Sequence, residues 1–242
     1  MSLACATCPV RDRAACAVLS EDERDELAKA GRIRTLAPGE ILFAAGTGEM
    51  ACATLKSGAL KITSTSAEGR ERILSLVHPS GFVGEMFGPY VHHDVVALAE
   101  SELCVFAGPA FSQAIDRYPR LGQALLRRTQ EDLFASRELL ALTGNASAGE
   151  RVAGMLLSMA KAASDSPCHP ATYFELPLSR GELADMLGLT IETVSRMLTR
   201  FERAGAIRKI RKRGIELVDP AAIGPLDRRF PEWVAKVGGE RL

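Results

Sequence analysis

Residues 179–203 read SRGELADMLGLTIETVSRMLTRFER, and this stretch decides the fold of the C-terminal part of the chain. It opens with the capping box Ser179-x-x-Glu182, in which the two side chains satisfy backbone groups at the start of a helix. Gly188 then permits a tight turn, and Thr190 is a typical N-cap for a following helix. Two helices joined by such a short turn predict a helix-turn-helix.

The second of these helices has two different faces. Apolar residues recur at the spacing i, i+3, i+4, i+7 of a buried face: Val194, Met197, Leu198 and Phe201. Polar residues repeat the same spacing on the other face: Glu192, Ser195, Arg196 and Thr199. Their carboxylate, hydroxyl and guanidinium groups are types that hydrogen-bond base edges, with arginine suited to guanine and glutamate to cytosine. The polar face therefore predicts a DNA-reading surface.

Two short strands, 206–210 and 214–218, follow this helix and flank the basic sequence Arg211-Lys-Arg-Gly214. The pattern predicts a hairpin wing with a basic tip, where Arg211 and Lys212 would contact backbone phosphates. An amphipathic helix pair with a solvated polar face is the alternative, but it leaves the turn, the wing and the caps unexplained.

The charge distribution supports the same interpretation. The whole chain has a formal net charge of +0, yet eight Lys/Arg residues lie between Arg196 and Arg213 against a single acid, Glu202. Such a local excess is typical of a surface that binds a polyanion. We add Ser179 and Arg180, at the start of the first helix, to the predicted DNA-binding set.

The N-terminal part has a different pattern. A capping box, Ser20-x-x-Glu23, predicts a short helix. From about residue 32 to 107, short apolar runs are interrupted by glycines, among them Gly39, Gly46, Gly58, Gly69, Gly81, Gly84 and Gly88. Short strands with glycine turns at this spacing predict a small antiparallel barrel or sandwich.

A long helix is predicted after this domain, over about 119–142. Leucines recur every seven residues, with small polar residues at the alternate positions, and together they form the predicted dimer seam: Leu126, Thr129, Leu133, Ser136 and Leu140. A twofold dimer would place two recognition helices about one DNA turn apart. A helix packed only on its own domain is the alternative.

The chain has six cysteines. Cys5-x-x-Cys8-x7-Cys16 lies in an arm with little periodicity, and Cys104 ends the predicted barrel. Four thiolates can hold a [4Fe–4S] cluster or a tetrahedral zinc ion, and spacing alone does not separate these. The other two are Cys52, which we expect in the core, and Cys168, which lies in a loop and receives no role.

These features together resemble the CRP/FNR family of transcriptional regulators over about residues 5–220. Ile191-Glu-Thr-Val-Ser-Arg196 is similar to the recognition-helix signature Glu-x-x-Ser-Arg of the FNR branch, which reads TTGAT half-sites. The cyclic-AMP branch has arginine immediately before that glutamate, where this chain has Ile191. The resemblance therefore favours palindromes of the type TTGAT-N4-ATCAA.

The resemblance implies an α+β fold with a β-roll sensor domain, a long dimerisation helix and a C-terminal winged helix-turn-helix. The expected divisions are a cysteine-bearing arm, the sensor, the dimerisation helix, the DNA-binding domain and a tail: 1–19, 20–118, 119–145, 146–220 and 221–242. It also implies that the arm cysteines and the barrel cysteine hold an oxygen-responsive [4Fe–4S] cluster: Cys5, Cys8, Cys16 and Cys104. Zinc, or no metal, remains open. Some members carry a carboxylate where Ser136 stands, which opposes dimerisation in the resting state, and this chain departs from them at that position.

We expect double-stranded DNA, a second copy of the chain and RNA polymerase as partners, in the cytoplasm and without a membrane. A cyclic nucleotide is not expected. Gly84-Glu85 of the family's phosphate cassette is present, but Asp94-Val95 stands where an Arg-Ser/Thr pair is needed, and an aspartate would repel phosphate. We predict no enzyme. A thiol–disulfide oxidoreductase using Cys5-x-x-Cys8 is the alternative, although such motifs belong at a helix start in a βαβ unit.

Overall fold

The computed structural model describes residues 3–48, 51–164 and 169–219. Cys168 and the tail 221–242 lie outside the described residues. The chain divides into two compact units, Met1–Ser136 and Arg137–Leu242, which are described separately below.

The first unit contains a helix followed by eight strands: α1 (Glu21–Lys29), β1 (Gly31–Leu36), β2 (Ile41–Phe43), β3 (Ala51–Ser57), β4 (Leu60–Thr65), β5 (Glu71–Val77), β6 (Phe82–Gly84), β7 (Asp94–Ala97) and β8 (Ser101–Ala107). The strands form two four-stranded antiparallel sheets, in the orders β1-β8-β3-β6 and β2-β7-β4-β5. Apolar side chains from both sheets, including Leu55, Leu60 and Leu103, form the core between them. The predicted β-roll is confirmed.

Two of the predicted turn glycines are required by the close approach of backbones. Gly58 has φ 93°, and a Cβ there would lie 2.3 Å from the hydroxyl oxygen of Ser101. Gly84 has φ 120°, and its Cβ would lie 2.3 Å from the carbonyl oxygen of Ala51. These positions combine a left-handed backbone with no room for a side chain, so only glycine fits.

A second core covers the outer face of the β1-β8-β3-β6 sheet. It is formed by α2 (Gly108–Arg117), the first turns of α3 (Pro119–Asn145) and the N-terminal arm. The arm is more ordered than its lack of periodicity predicted. It forms two short 3-10 helices, Cys5–Thr7 and Ala15–Val18, and it buries Val10, Ala14 and Leu19. Such irregular burial carries no periodic signal in the sequence.

The second unit continues from the end of α3 with three helices and three strands: α4 (Ala148–Ala162), β9 (Tyr173–Glu175), α5 (Arg180–Leu187), α6 (Ile191–Arg203), β10 (Ile207–Ile210) and β11 (Gly214–Leu217). The strands form an antiparallel sheet in the order β10-β11-β9. This is the expected winged helix-turn-helix, with β9 as a third strand that the sequence pattern did not predict.

Candidate nucleic-acid interface and cysteine pocket

Local capping fixes the geometry of the helix-turn-helix. The Ser179 hydroxyl accepts from the Glu182 N–H at 3.2 Å, and the Glu182 carboxylate accepts from the Ser179 N–H at 2.8 Å. Gly188 ends α5 with φ 62° in the left-handed region. Thr190 then caps α6, accepting from the Thr193 N–H at 3.2 Å. The side chains therefore form the predicted caps on both helices.

Helix α6 is oriented by its apolar face. Val194, Leu198 and Phe201 are fully buried, whereas Glu192 and Arg196 are exposed and Ser195 and Thr199 are half-buried. Burying the apolar face leaves the predicted DNA-reading residues together on the outer face of the helix.

These residues belong to a basic groove along α6. Ser195, Arg196 and Thr199 line it together with Arg200 and Arg203. The last two were not assigned to the site from the sequence, although they lie four and seven residues after Arg196 within the basic run. A groove that presents three guanidinium groups is suited to phosphates and guanine edges.

Two further groups arrange the polar face. Arg180, from the start of α5, donates from Nη1 to the hydroxyl oxygen of Ser195 at 3.2 Å. Glu192 accepts hydrogen bonds from its own backbone N–H and from the Thr190 hydroxyl, and both lower the pKa of its carboxyl group. Glu192 is therefore an ionised acceptor at neutral pH, the form that can accept from cytosine N4.

All three basic residues of the wing tip are exposed, and one of them also forms an internal hydrogen bond. Gly214 pairs with Ile210, and a Cβ at Gly214 would lie 2.6 Å from the Ile210 carbonyl oxygen. Arg213 donates from Nη1 to the Pro177 carbonyl at 3.2 Å, which ties its side chain to the segment that follows β9. Arg211 and Lys212 are exposed at the turn, where the prediction places a phosphate contact.

The four predicted cysteine ligands line a single pocket. Cys5, Cys8 and Cys16 reach it from the arm and Cys104 from β8. The remaining lining is mostly apolar, with Arg24 and Lys56 among the cations. Within the ranges described, no group of three or more His, Cys, Asp or Glu side chains is arranged to hold a metal ion. The thiols thus share a pocket without converging on one point.

Burial favours the protonated thiol form of Cys5, Cys16 and Cys104 in this pocket. It raises the pKa of Cys16 to about 11 and of Cys104 to about 12, and the neighbouring Cys8 contributes to both increases. Burial and Cys8 also raise the pKa of Cys5, opposed by the charges of Arg24 and Lys56. Ligation requires thiolates, so binding of a metal group here would release protons.

Cys52 behaves as predicted. It is fully buried in the core beneath the arm, and burial raises its pKa to about 12.

The two acidic residues at the positions of the family's phosphate cassette form hydrogen bonds within the domain. Glu85 is paired with the ring of His92 and accepts from the His92 backbone N–H at 2.9 Å. Asp94 accepts from the Ala45 N–H at 2.8 Å. Both carboxylates are therefore engaged in hydrogen bonds within the domain.

The predicted dimer seam is exposed on the single chain. Leu126, Leu133 and Leu140 are 62 %, 48 % and 72 % exposed. The hydroxyls of Thr129 and Ser136 donate to the carbonyls four residues earlier, at 3.0 and 2.8 Å. Both hydroxyls have a hydrogen-bond partner within the helix, so burying this face against an apolar surface would leave neither donor unsatisfied.

Comparison with known proteins places this architecture. The profile "Crp-like helix-turn-helix domain" matches residues 150–224, and "Cyclic nucleotide-binding domain" matches residues 33–118. The transcriptional activator protein FnrL of Cereibacter sphaeroides is 33 % identical over 222 residues, which cover 90 % of each chain. The chain belongs to the CRP/FNR family of transcriptional regulators. It is of the FNR type, as the recognition-helix signature predicted.

Other members of the CRP/FNR family give the same picture. The nitrogen fixation regulation protein FixK of Bradyrhizobium diazoefficiens is 32 % identical over 228 residues, covering 92 % of this chain and 93 % of that one. The structure of FixK2 from Bradyrhizobium japonicum shares the fold, with a TM-score of 0.73 and 24 % identity over 81 % of this chain and 97 % of that chain.

The family membership confirms that the chain is a DNA-binding regulator and not an enzyme. Among the helices of the described residues, none is long and apolar enough to cross a membrane.

Proposed function

We propose that this protein is an FNR-type regulator that binds TTGAT-N4-ATCAA-like palindromes as a homodimer, and whose DNA affinity responds to oxygen through a [4Fe–4S] cluster. The observation that carries the cofactor assignment is the presence of three arm cysteines and Cys104 of β8 in one pocket. RNA polymerase is the expected partner of the DNA-bound dimer.

For DNA reading, α6 is expected to lie in the major groove with its polar face on the bases. Arg196 can donate two parallel hydrogen bonds to one guanine, and Glu192 can accept from a cytosine. The exposed Arg211 and Lys212 of the wing would contact phosphate, which adds affinity without sequence preference. A homodimer makes each contact twice, once in each half-site.

For dimerisation, the exposed leucines of α3 are expected to pack against a second copy. Leucine alternates with threonine or serine along this seam, so the interface is weaker than one with β-branched apolar residues at those positions. A marginal interface suits a switch, because a small change in free energy then changes the dimer population substantially.

The pocket residues fit an iron–sulfur group by their chemistry. Four thiols supply the ligand type that such clusters use, and the apolar walls limit the access of water. The charges of Arg24 and Lys56 oppose the increase in the pKa of Cys5 that burial causes, so they favour its thiolate. When bound, the cluster would supply an oxygen-reactive centre. The thiolates would meanwhile fasten the arm to β8.

Anaerobic purification followed by iron and sulfide analysis tests the cofactor. We expect a brown protein with about four iron and four sulfide per chain, whose visible absorption bleaches in air and whose affinity for the palindrome falls in parallel. A colourless protein with full DNA affinity in air and under nitrogen would contradict the proposal.

A cluster-free or zinc-bound regulator is the second candidate. It is favoured by one observation, that no metal-holding group of side chains is formed among the described residues. The same experiment separates it, because it predicts zinc or no metal and a DNA affinity that oxygen does not change.

A further inference from the structure

The segment between Cys8 and Cys16 contacts the dimerisation helix directly. These seven residues form a compact turn, in which Val10 is buried and the Ala14 N–H donates to the Val10 carbonyl at 2.9 Å. The end of the turn packs on α3, since Ala15 belongs to the same apolar cluster as Leu121 and Leu125. This segment, residues 9–15, is called the spacer below, and it is held against α3 on the side of the cysteine pocket.

Arg128 forms the polar part of this contact. Its Nη2 donates to the carbonyl oxygen of Arg13 in the spacer at 2.8 Å and to the hydroxyl of Ser80 at 3.3 Å. Its Nη1 pairs with Glu131, one turn further along α3, at 3.1 Å. One guanidinium therefore joins the spacer, the β-roll and α3. A hydrogen bond from a charged donor to a carbonyl is among the stronger ones in proteins.

The β-roll end of this contact is also constrained. Ser80 is buried and has φ 78°, an uncommon backbone conformation for a residue other than glycine. Its N–H donates to the Leu55 carbonyl at 2.8 Å, which ties the turn to the core. The Ser80 hydroxyl is thus a fixed anchor for the Arg128 side chain.

We propose that Arg128 is a positioning residue that transmits the state of the cysteine pocket to the dimer seam. Arg128 is two residues beyond Leu126 and immediately before Thr129, both in the predicted seam. When the arm is held by the pocket, the Arg13 carbonyl stays on Arg128 and this turn of α3 keeps one orientation. When the arm is released, Arg128 loses that acceptor and the seam residues beside it become free to shift. The inference rests on the proposed role of the arm cysteines.

Trypsin reports this interaction directly, because it cleaves after Arg13 and Arg128 holds the carbonyl of that bond. The full chain as purified, without metal, is compared with Arg128→Ala, Arg128→Lys and the control Arg127→Ala, which removes an exposed arginine next to it. We expect cleavage of Arg13–Ala14 to become about tenfold faster in Arg128→Ala. Arg128→Lys, with a single point charge, should be intermediate, and Arg127→Ala should be unchanged.

A second trypsin site, inside the β-roll, distinguishes local release of the spacer from general unfolding. The bond after Lys61 lies in β4, which is paired on both sides, with β5 and β7, in the sheet that the arm does not cover, so it is cut only when the β-roll opens. Its rate should be the same in all four proteins. Equal acceleration at both sites, or no acceleration after Arg13, would overturn the proposed hold of Arg128 on the spacer.

Sedimentation equilibrium on the same four proteins tests whether the contact of Arg128 with the spacer affects the dimer seam. The dimer dissociation constant should rise at least about fivefold in Arg128→Ala relative to Arg127→Ala. Faster cleavage with an unchanged dissociation constant would overturn the coupling. Neither measurement requires iron, so a failure of the cluster assignment leaves both readouts interpretable and shows itself separately in the iron analysis.

Discussion

The recognition face of α6 lies on one regular helix, whereas the cysteine pocket is assembled from an irregular arm and a distant strand. Each reading residue on α6 is expected to make its own contact with DNA, and the helix is held in place by Val194, Leu198 and Phe201 on the opposite face. The pocket has no such independence, because four ligands must meet in one place. Substitutions are therefore expected to be graded on the helix and nearly all-or-none in the pocket.

The largest effect is expected in the pocket. Cys104→Ser should lose essentially all iron after anaerobic reconstitution, as fully as Cys8→Ser, because removing any one ligand opens the site. Iron and sulfide analysis measures this.

Two controls bracket the cysteine result. Cys52→Ser and Cys168→Ser should retain iron, since neither residue is assigned to the pocket. Normal iron in Cys104→Ser would remove it from the ligand set, and loss of iron in either control would mean that a different four cysteines bind.

The next effect concerns the helix that carries the seam. Leu133→Asp should weaken the dimer at least about 100-fold, because twofold symmetry would bring two carboxylates together in an apolar interface. The unfolding free energy of the chain should change by less than about 1 kcal/mol, since Leu133 is already half exposed.

Sedimentation equilibrium checks the Leu133 prediction, with Arg127→Asp as the control for a new carboxylate outside the seam. Equal dimer constants for the two variants would mean that α3 pairs through another face, or that it does not pair.

The same contrast between a regular helix and an irregular pocket explains how much of each region could be predicted from the sequence. Periodicity and capping identified both helices of the helix-turn-helix and the orientation of α6, because these signals are local. Strand β9 was missed, since three residues are too few to show alternation. In the arm, spacing identified the cysteines, but neither the burial of Val10 nor the interactions of Arg128 leave a local pattern. Both depend on contacts between segments far apart in sequence.

A smaller effect is expected at Arg180, which orients part of the reading face of α6. Arg180→Ala should weaken binding to the palindrome about threefold to tenfold, by removing both a phosphate interaction and the hydrogen bond that orients Ser195. Because the two side chains act together, the double variant Arg180→Ala/Ser195→Ala should lose less binding free energy than the sum of the losses in the two single variants. A double-mutant cycle from DNA titrations measures this coupling. Strict additivity would mean that Arg180 acts only on phosphate.

The most direct test compares one residue of the reading helix with one of the wing. Arg196→Ala and Arg211→Ala would be titrated on TTGAT-N4-ATCAA and on its single-base variants, at two salt concentrations. Arg196→Ala should cost about 1–3 kcal/mol and remove the preference at one position of each half-site. Arg211→Ala should weaken all sequences equally and reduce the salt slope by about one for each arginine–phosphate pair that is removed. The same uniform loss of affinity from both variants would contradict the assignment of α6 as the reader and the wing as the clamp.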